Sequence, residues 1–283
     1  MKHSYVKVLI FFSIIGLVAF TPDQFLMPES FYLHKGDKLN LHLLTGESLN
    51  QDGEVGYNSA RTTKFMLYEG SKKNDFLKTT KDSAAPVLTY NLMNGGLTLI
   101  EMNTNELNDI PREDFLTYLT EQGHEDIAEK LKNSNKLNFT EKYNRYLKAL
   151  VTVDDPDGKL YEKDLNNEFE IILKQNPYKL NYGDDVSAIV NFKGKPFKAG
   201  TVFLYIKTAS GNIYPQKLST DNLGKIYFSV SREGIYLIRA TQFEPSTSKD
   251  ADYETWTASF TFSFSNRNDS PNTYKEFGFG NKH

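Results

Sequence analysis

Cysteine is absent from this chain of 283 residues. That excludes disulfides, thiolate metal sites, cysteine nucleophiles and a lipidated N-terminal cysteine. Without covalent staples the fold must be held by core burial, which a chain of this length can supply. A basic surplus is missing too: 33 Lys and Arg stand against 36 Asp and Glu, a formal charge of -3, so the chain lacks the electrostatic footprint of a nucleic-acid binder. Catalytic signatures are likewise missing: no Gly-x-Ser-x-Gly elbow, no phosphate loop and no dinucleotide fingerprint. His124-Glu125 begins like a zinc-protease motif, but Ala128 stands where the second histidine is needed. These absences together predict a protein that is not an enzyme.

Aromatic residues are plentiful. The 17 Tyr and 20 Phe suit pleated, half-buried surfaces and favour strands over helices. At the N-terminus, Lys2 and Lys7 precede an apolar stretch from Val8 to Phe20. This reads as a signal peptide over residues 1–20, cleaved after Ala19, because a membrane span needs about 20 apolar residues; an uncleaved anchor is the other reading. No later segment is apolar enough to span a membrane. The expected location is periplasmic or secreted.

The pattern along the chain is mainly β and predicts two β-sandwich domains. The first, over residues 21–155, shows period-two alternation at Leu39, Leu41, Leu43 and at Thr63, Phe65, Leu67. It carries a short helical insertion at about 111–152. Pro111 opens that insertion, and Phe115, Leu116 and Leu119 form its first apolar stripe. Asn138 with Glu141 looks like a capping box, and Tyr143, Tyr146, Leu147 and Leu150 recur at helical spacing. Arg145 and Lys148 then fall at the margin of a helix face, placed to pair with acids or to receive an anionic ligand. Asp154 to Asn167 is charged, turn-rich and aperiodic, which marks a linker. Residues 166–265 form the second domain: seven or so short strands with regularly spaced turns describe a transthyretin-like or immunoglobulin-like sandwich. Residues 266–283 read as a flexible tail.

Candidate metal ligands are sparse. His34 and His42 flank the turn Lys35-Gly36-Asp37-Lys38, but imidazole sites usually draw three or four ligands. The acidic clusters Asp154, Asp155, Asp157 and Asp250, Asp252, Glu254 lack the register of a calcium loop. Trp256, the single tryptophan, sits on an alternating strand and fits a sandwich core.

Several segments together resemble a bacterial family of exported proteins of unknown function, whose members are often labelled the periplasmic component of cobalt or nickel ABC-type transport. The resemblance rests on Asp23-Gln24-Phe25-Leu26-Met27-Pro28, on Glu141 to Val151, on Phe169 to Ile172 with Asn176-Pro177-Tyr178, on the turns Gly194 to Gly200 and Thr220 to Lys225, and on Ala251 to Ser259. It implies a periplasmic binding or accessory protein for metal-ion uptake, with a divalent metal ion as cargo and a membrane transport complex or small ligand as partner. The family's opening histidine falls on Asp23 and a second one on Gln242, leaving a carboxylate and an amide where relatives offer imidazoles; imidazole suits nickel and cobalt, oxygen donors harder cations. Placed at the junction of the two domains, where ligand clefts favour forming, the candidate ligand-binding residues are Asp23, Tyr143, Arg145, Arg239, Gln242 and Trp256. The alternative is a structural or adhesive envelope protein that presents surfaces to another protein or a glycan.

Overall fold

The computed structural model describes residues 23–121, 123–269 and 273–280; the expected signal peptide lies outside them. In chain order the first strands are β1 (Gln24–Pro28), β2 (Tyr32–Leu33), β3 (Lys38–Thr45), β4 (Gly53–Glu54), β5 (Thr62–Glu69), β6 (Lys72–Asp75), β7 (Leu88–Asn91) and β8 (Gly96–Pro111). Helices α1 (Arg112–Glu121) and α2 (Glu125–Leu131) follow, then β9 (Asn138–Val153). The second half holds β10 (Phe169–Leu173), β11 (Asp185–Phe192), β12 (Lys195–Pro196), β13 (Thr201–Lys207), β14 (Ile213–Ser219), β15 (Lys225–Ser229), β16 (Gly234–Pro245) and β17 (Tyr253–Phe264). Among the described residues no helix is long and apolar enough to cross a membrane.

One nine-stranded sheet runs through both halves in the order β14-β13-β16-β17-β9-β8-β5-β6, with β2 beside β9. Its seam is the parallel pair β17–β9, which sets Thr257 against Arg145 and Thr255 against Tyr143. Each half adds a four-stranded sheet: β1-β3-β4 with β7 on β3, and β10-β11-β12 with β15 on β11.

The two small sheets cover opposite faces of the large one. Successive side chains of a strand alternate between faces, so β17 sends Thr255, Thr257, Ser259, Thr261 and Ser263 one way and Trp256, Ala258, Phe260, Phe262 and Phe264 the other. All ten are buried. The hydroxyl row lies on the side covered by β1 and the helices, and the aromatic row meets the second small sheet, with Phe192 edge-on to Trp256 at 5.3 Å. Helices α1 and α2 close the long β8–β9 hairpin and pack on the hydroxyl side, where Phe115 meets Phe139, Phe243 and Tyr253 at 5.0, 5.7 and 5.3 Å between ring centroids.

The helical insertion therefore ends at Leu131, and the expected helix over Asn138 to Leu150 is a strand. Its apolar residues satisfy both periods. Phe139, Tyr143, Leu147, Ala149, Val151 and Val153 also alternate at period two, and the strand is buried on both faces from Leu147 onward. Such a central strand shows no polar face to distinguish it from a buried helix. Pairing on both sides, with β8 and β17, decides for the strand.

The tail also differs from expectation. Thr273 is buried and its hydroxyl donates to the Glu29 carbonyl oxygen at 3.1 Å. Tyr274, Phe277 and Phe279 are buried as well, Tyr274 stacking on His42 at 4.0 Å and Phe279 meeting Phe25 at 6.5 Å. Residues 273–280 thus form a strap over the outer face of the first small sheet.

Candidate functional site

Arg145 stands near the middle of β9, on the hydroxyl side of the large sheet. Its direct neighbours are Thr104 on β8 and Thr257 on β17. Two residues back on the same face, the Tyr143 ring lies 3.9 Å from the guanidinium carbon, a stacking that fixes the plane of the group. Tyr143 is itself anchored by a 3.0 Å hydrogen bond between its hydroxyl and that of Thr257. The Arg145 Nη1 lies 2.6 Å from Oε1 of Glu106, and the other oxygen of Glu106 lies 2.7 Å from Nη1 of Arg61. The Arg145 side chain is 2% exposed and that of Arg61 58%. One carboxylate therefore bridges a buried guanidinium and a surface one.

These residues border a cavity of about 260 Å³ between the first small sheet and the large one. Its walls include Leu43 and Val55 from the small-sheet side, Met102 and Thr104 from β8, and Tyr57. The Tyr57 hydroxyl donates to the Leu77 carbonyl oxygen at 2.5 Å, so the ring presents an apolar wall. Four buried polar atoms at this floor have no hydrogen-bond partner among the described residues: Nε and Nη2 of Arg145, Oγ1 of Thr104, and Oε1 of Glu106, which meets Arg145 Nη1 as an ion pair. Buried donors without partners are uncommon in folded proteins and cost about 1–3 kcal/mol each.

Beside the cavity, under α1, lies a second polar group. The Thr255 hydroxyl donates to Glu141, and the Tyr118 phenol faces Glu141, Tyr143 and Thr255. Burial raises the Glu141 carboxyl above its usual range, partly offset by the Thr255 hydrogen bond and the Arg145 charge. Burial likewise holds the Tyr118 phenol well above the ordinary tyrosine range, with the Glu141 charge adding to it.

The six candidate residues do not meet at one site. Tyr143 and Arg145 stack together, and Asp23 is ion-paired with Arg239 of β16 on the same face. Gln242 and Trp256, opposite each other in the β16–β17 register, point to the other face. Trp256 is 3% exposed and capped by the Lys193 ammonium, 4.1 Å from its ring, which makes it a core residue. Gln242 donates to Glu244 at 3.3 Å. Asp23, with its carboxylate held by a guanidinium, is spoken for as a cation ligand.

The other sequence candidates are also dispersed. His34 pairs with Asp154 at 3.0 Å, while buried His42 lies 2.7 Å from Glu54 and 3.3 Å from Glu29. His124 lies 5.4 Å from the Phe243 ring, and burial lowers its pKa. Asp252 accepts from the Thr140 backbone N–H at 3.0 Å, and Asp157 pairs with Lys179 at 2.6 Å. Among the described residues no group of three His, Asp or Glu side chains is placed to hold a metal ion. Glu106, Arg61 and Thr104 carry no local motif, and only the β8–β9 register and the approach of Arg61 bring them to Arg145. Glu141, expected to cap a helix with Asn138, lies instead on the strand β9 and accepts from Thr255.

Two solved structures are similar at low identity. A tetra-tandem repeat in the extending region of a large adhesion protein matches at 11% identity over 86% of this chain with a TM-score of 0.23, and this chain spans 50% of that one. The D0-D1 domain of Intimin matches at 12% identity over 85% of this chain and 97% of that one, with a TM-score of 0.21. No curated protein matches the chain. The model of one family, described as Domain of unknown function (DUF4198), matches residues 19–244, and the chain belongs to that family.

Proposed function

We propose that this is an exported, non-catalytic binding protein that takes a small ligand in the cavity between its first small sheet and the large sheet. The observation that carries the reading is the pairing of a formed cavity with a buried arginine whose donors are only partly used. Ligand sites are concavities in which apolar walls meet converging polar groups, and here Leu43, Val55 and Met102 stand with Arg145, Thr104, Gln24 and Asn105. The apolar segment Val8 to Phe20 behind Lys2 and Lys7 supports export to the periplasm or medium.

Metal-ion uptake is the weaker form of this reading. Asp23 is engaged by Arg239, and Gln242 lies on the opposite face of the sheet, so the two positions do not converge on one ion. The rival reading, a structural or adhesive envelope protein, is favoured by Tyr182, Leu223 and Tyr227, which are 65%, 61% and 62% exposed in the second half.

The test is a thermal-shift screen of the chain with neutral sugars, amines, carboxylates and divalent cations. A ligand at a hundredfold excess over its Kd stabilises by about 2.7 kcal/mol, several degrees in Tm for a protein of this size. The Thr104→Phe variant, which fills the cavity, is run in parallel. A shift in the wild type that is lost in Thr104→Phe supports the site. If no compound shifts either protein, or the shift survives the filled cavity, the reading fails.

A further inference from the structure

We infer that the ligand of this cavity is a small amphipathic monocarboxylate bound by Arg145, an inference that rests on the binding reading above. A guanidinium offers five N–H donors in a fixed plane. In Arg145, Nη1 is committed to Glu106 and the flat face to Tyr143. The remaining edge carries Nε and Nη2, the two nitrogens without partners. Their N–H bonds run parallel, and that edge matches the two oxygens of a carboxylate in a bidentate pair.

The charge balance agrees. Arg145 and Arg61 share the single carboxylate of Glu106, which leaves one positive charge uncompensated among the three groups. Glu141, the other nearby carboxyl, accepts from the Thr255 hydroxyl, and the ion pairs of Arg145 and Arg61 go to Glu106 instead. A monoanion therefore completes the set. The rest of the ligand meets Leu43, Val55, Met102 and the Tyr57 ring on one side and the polar Gln24, Asn58 and Asn105 on the other, which suits a short body with both an apolar and a polar side. Thr104 Oγ1 stands among the lining groups as a further donor.

In the protein as it stands the two free nitrogens are closed off from solvent. Binding therefore needs the Arg145 side chain to shift over the Tyr143 ring until that edge opens to the cavity. Such a shift preserves the stack, since a cation is held by the face of the ring as a whole.

The experiment is calorimetric titration with benzoate and hexanoate, with benzamide and hexanamide as uncharged counterparts of the same shape, and with inorganic phosphate. Benzoate or hexanoate is expected to bind, with its amide weaker by about tenfold or more. Arg145→Lys keeps the charge but loses the fork, and is expected to weaken the acid by a similar factor. Because changes at Arg145 disturb a buried pair, circular dichroism and melting of each variant are read first. Arg61→Gln, at the exposed end, serves as the second variant and should weaken the acid by a smaller factor with the fold intact. Equal affinity for acid and amide overturns the inference, as does binding of phosphate without either organic acid, or acid binding unchanged in both arginine variants. A neutral compound from the wider screen whose binding is lost in Thr104→Phe would overturn the carboxylate while leaving the binding site standing. No binding by any compound of that screen removes the site itself.

Discussion

Arg145 and Lys148 stand three residues apart on one strand and therefore point to opposite faces of the large sheet, each into its own buried carboxylate. Arg145 meets Glu106 at 2.6 Å beside the cavity, and Lys148 meets Glu170 at 2.9 Å under the second small sheet. A helix would have put both near one side. The strand instead divides them between the cavity and a buried clamp.

The clamp has an order of strength that mutagenesis can read. Glu170 accepts the Lys148 ammonium and also the backbone N–H groups of Leu165 and Asn167, each at 3.0 Å. Glu170→Ala strands all three donors, whereas Lys148→Met leaves Glu170 with two partners. Breaking a buried pair costs about 3–5 kcal/mol, so Glu170→Ala should fall at the upper end and exceed Lys148→Met by about 1 kcal/mol or more. Urea unfolding of both variants measures this; equal losses would show that the linker contacts contribute nothing.

Glu141 gives a pH dependence with a definite sign. Its folded-state pKa is raised by burial, so the fold favours the protonated form. The stabilising contribution is complete below the ordinary glutamate value of about 4.3 and is lost as pH rises through the higher folded value. Glu141→Gln lacks this titration and can still accept from Thr255. The stability of wild type relative to Glu141→Gln should therefore decline from acid toward neutral pH, measured as the difference in Tm across the range. A difference that does not change with pH would contradict the assignment.

The C-terminal strap should be a stabilising layer. Phe279 is 0% exposed, near Phe25 and 4.1 Å below the Lys207 ammonium. Phe279→Ala should cost about 3–4 kcal/mol and make residues 273–280 an early site of proteolysis. Limited digestion with mass analysis, alongside unfolding curves, reads both. Wild-type resistance in the variant would mean that the strap is held elsewhere.

Trp256 offers a test of the two-faced geometry. As the single tryptophan, buried against Phe192 on the face away from Arg145, it should emit as a buried indole. Lys193→Ala removes the ammonium over its ring and should shift emission to longer wavelength, while Arg145→Lys should leave it unchanged. Trp256→Phe should leave ligand affinity at the cavity within about twofold, since the large sheet separates the two.

The second half was legible because its strands alternate cleanly. Val202, Leu204 and Ile206 face the second small sheet's side within β13, and Ile226 and Phe228 lie on β15 as their spacing implies. Helix α1 was legible from Glu113 and Asp114 in its first turn and from Phe115 and Leu119, both buried. The segment from Asn138 was not, because Tyr143, Tyr146, Leu147 and Leu150 fit a helix face as well as a strand, and a strand buried on both sides carries no polar stripe to break the tie.

By itself the sequence determined the β class, because alternation and aromatic content act locally, residue against neighbour. It also excluded disulfides outright, since the atoms are not there. The tertiary structure alone decided that β17 returns to pair with β9 and joins the halves in one sheet. It alone decided that Asp23 is neutralised by Arg239 and that Glu106 bridges Arg145 and Arg61. Those contacts depend on strand register and on which face each small sheet covers. A shift of one residue would turn every side chain of β9 to the other face, and no local pattern in the chain specifies that choice.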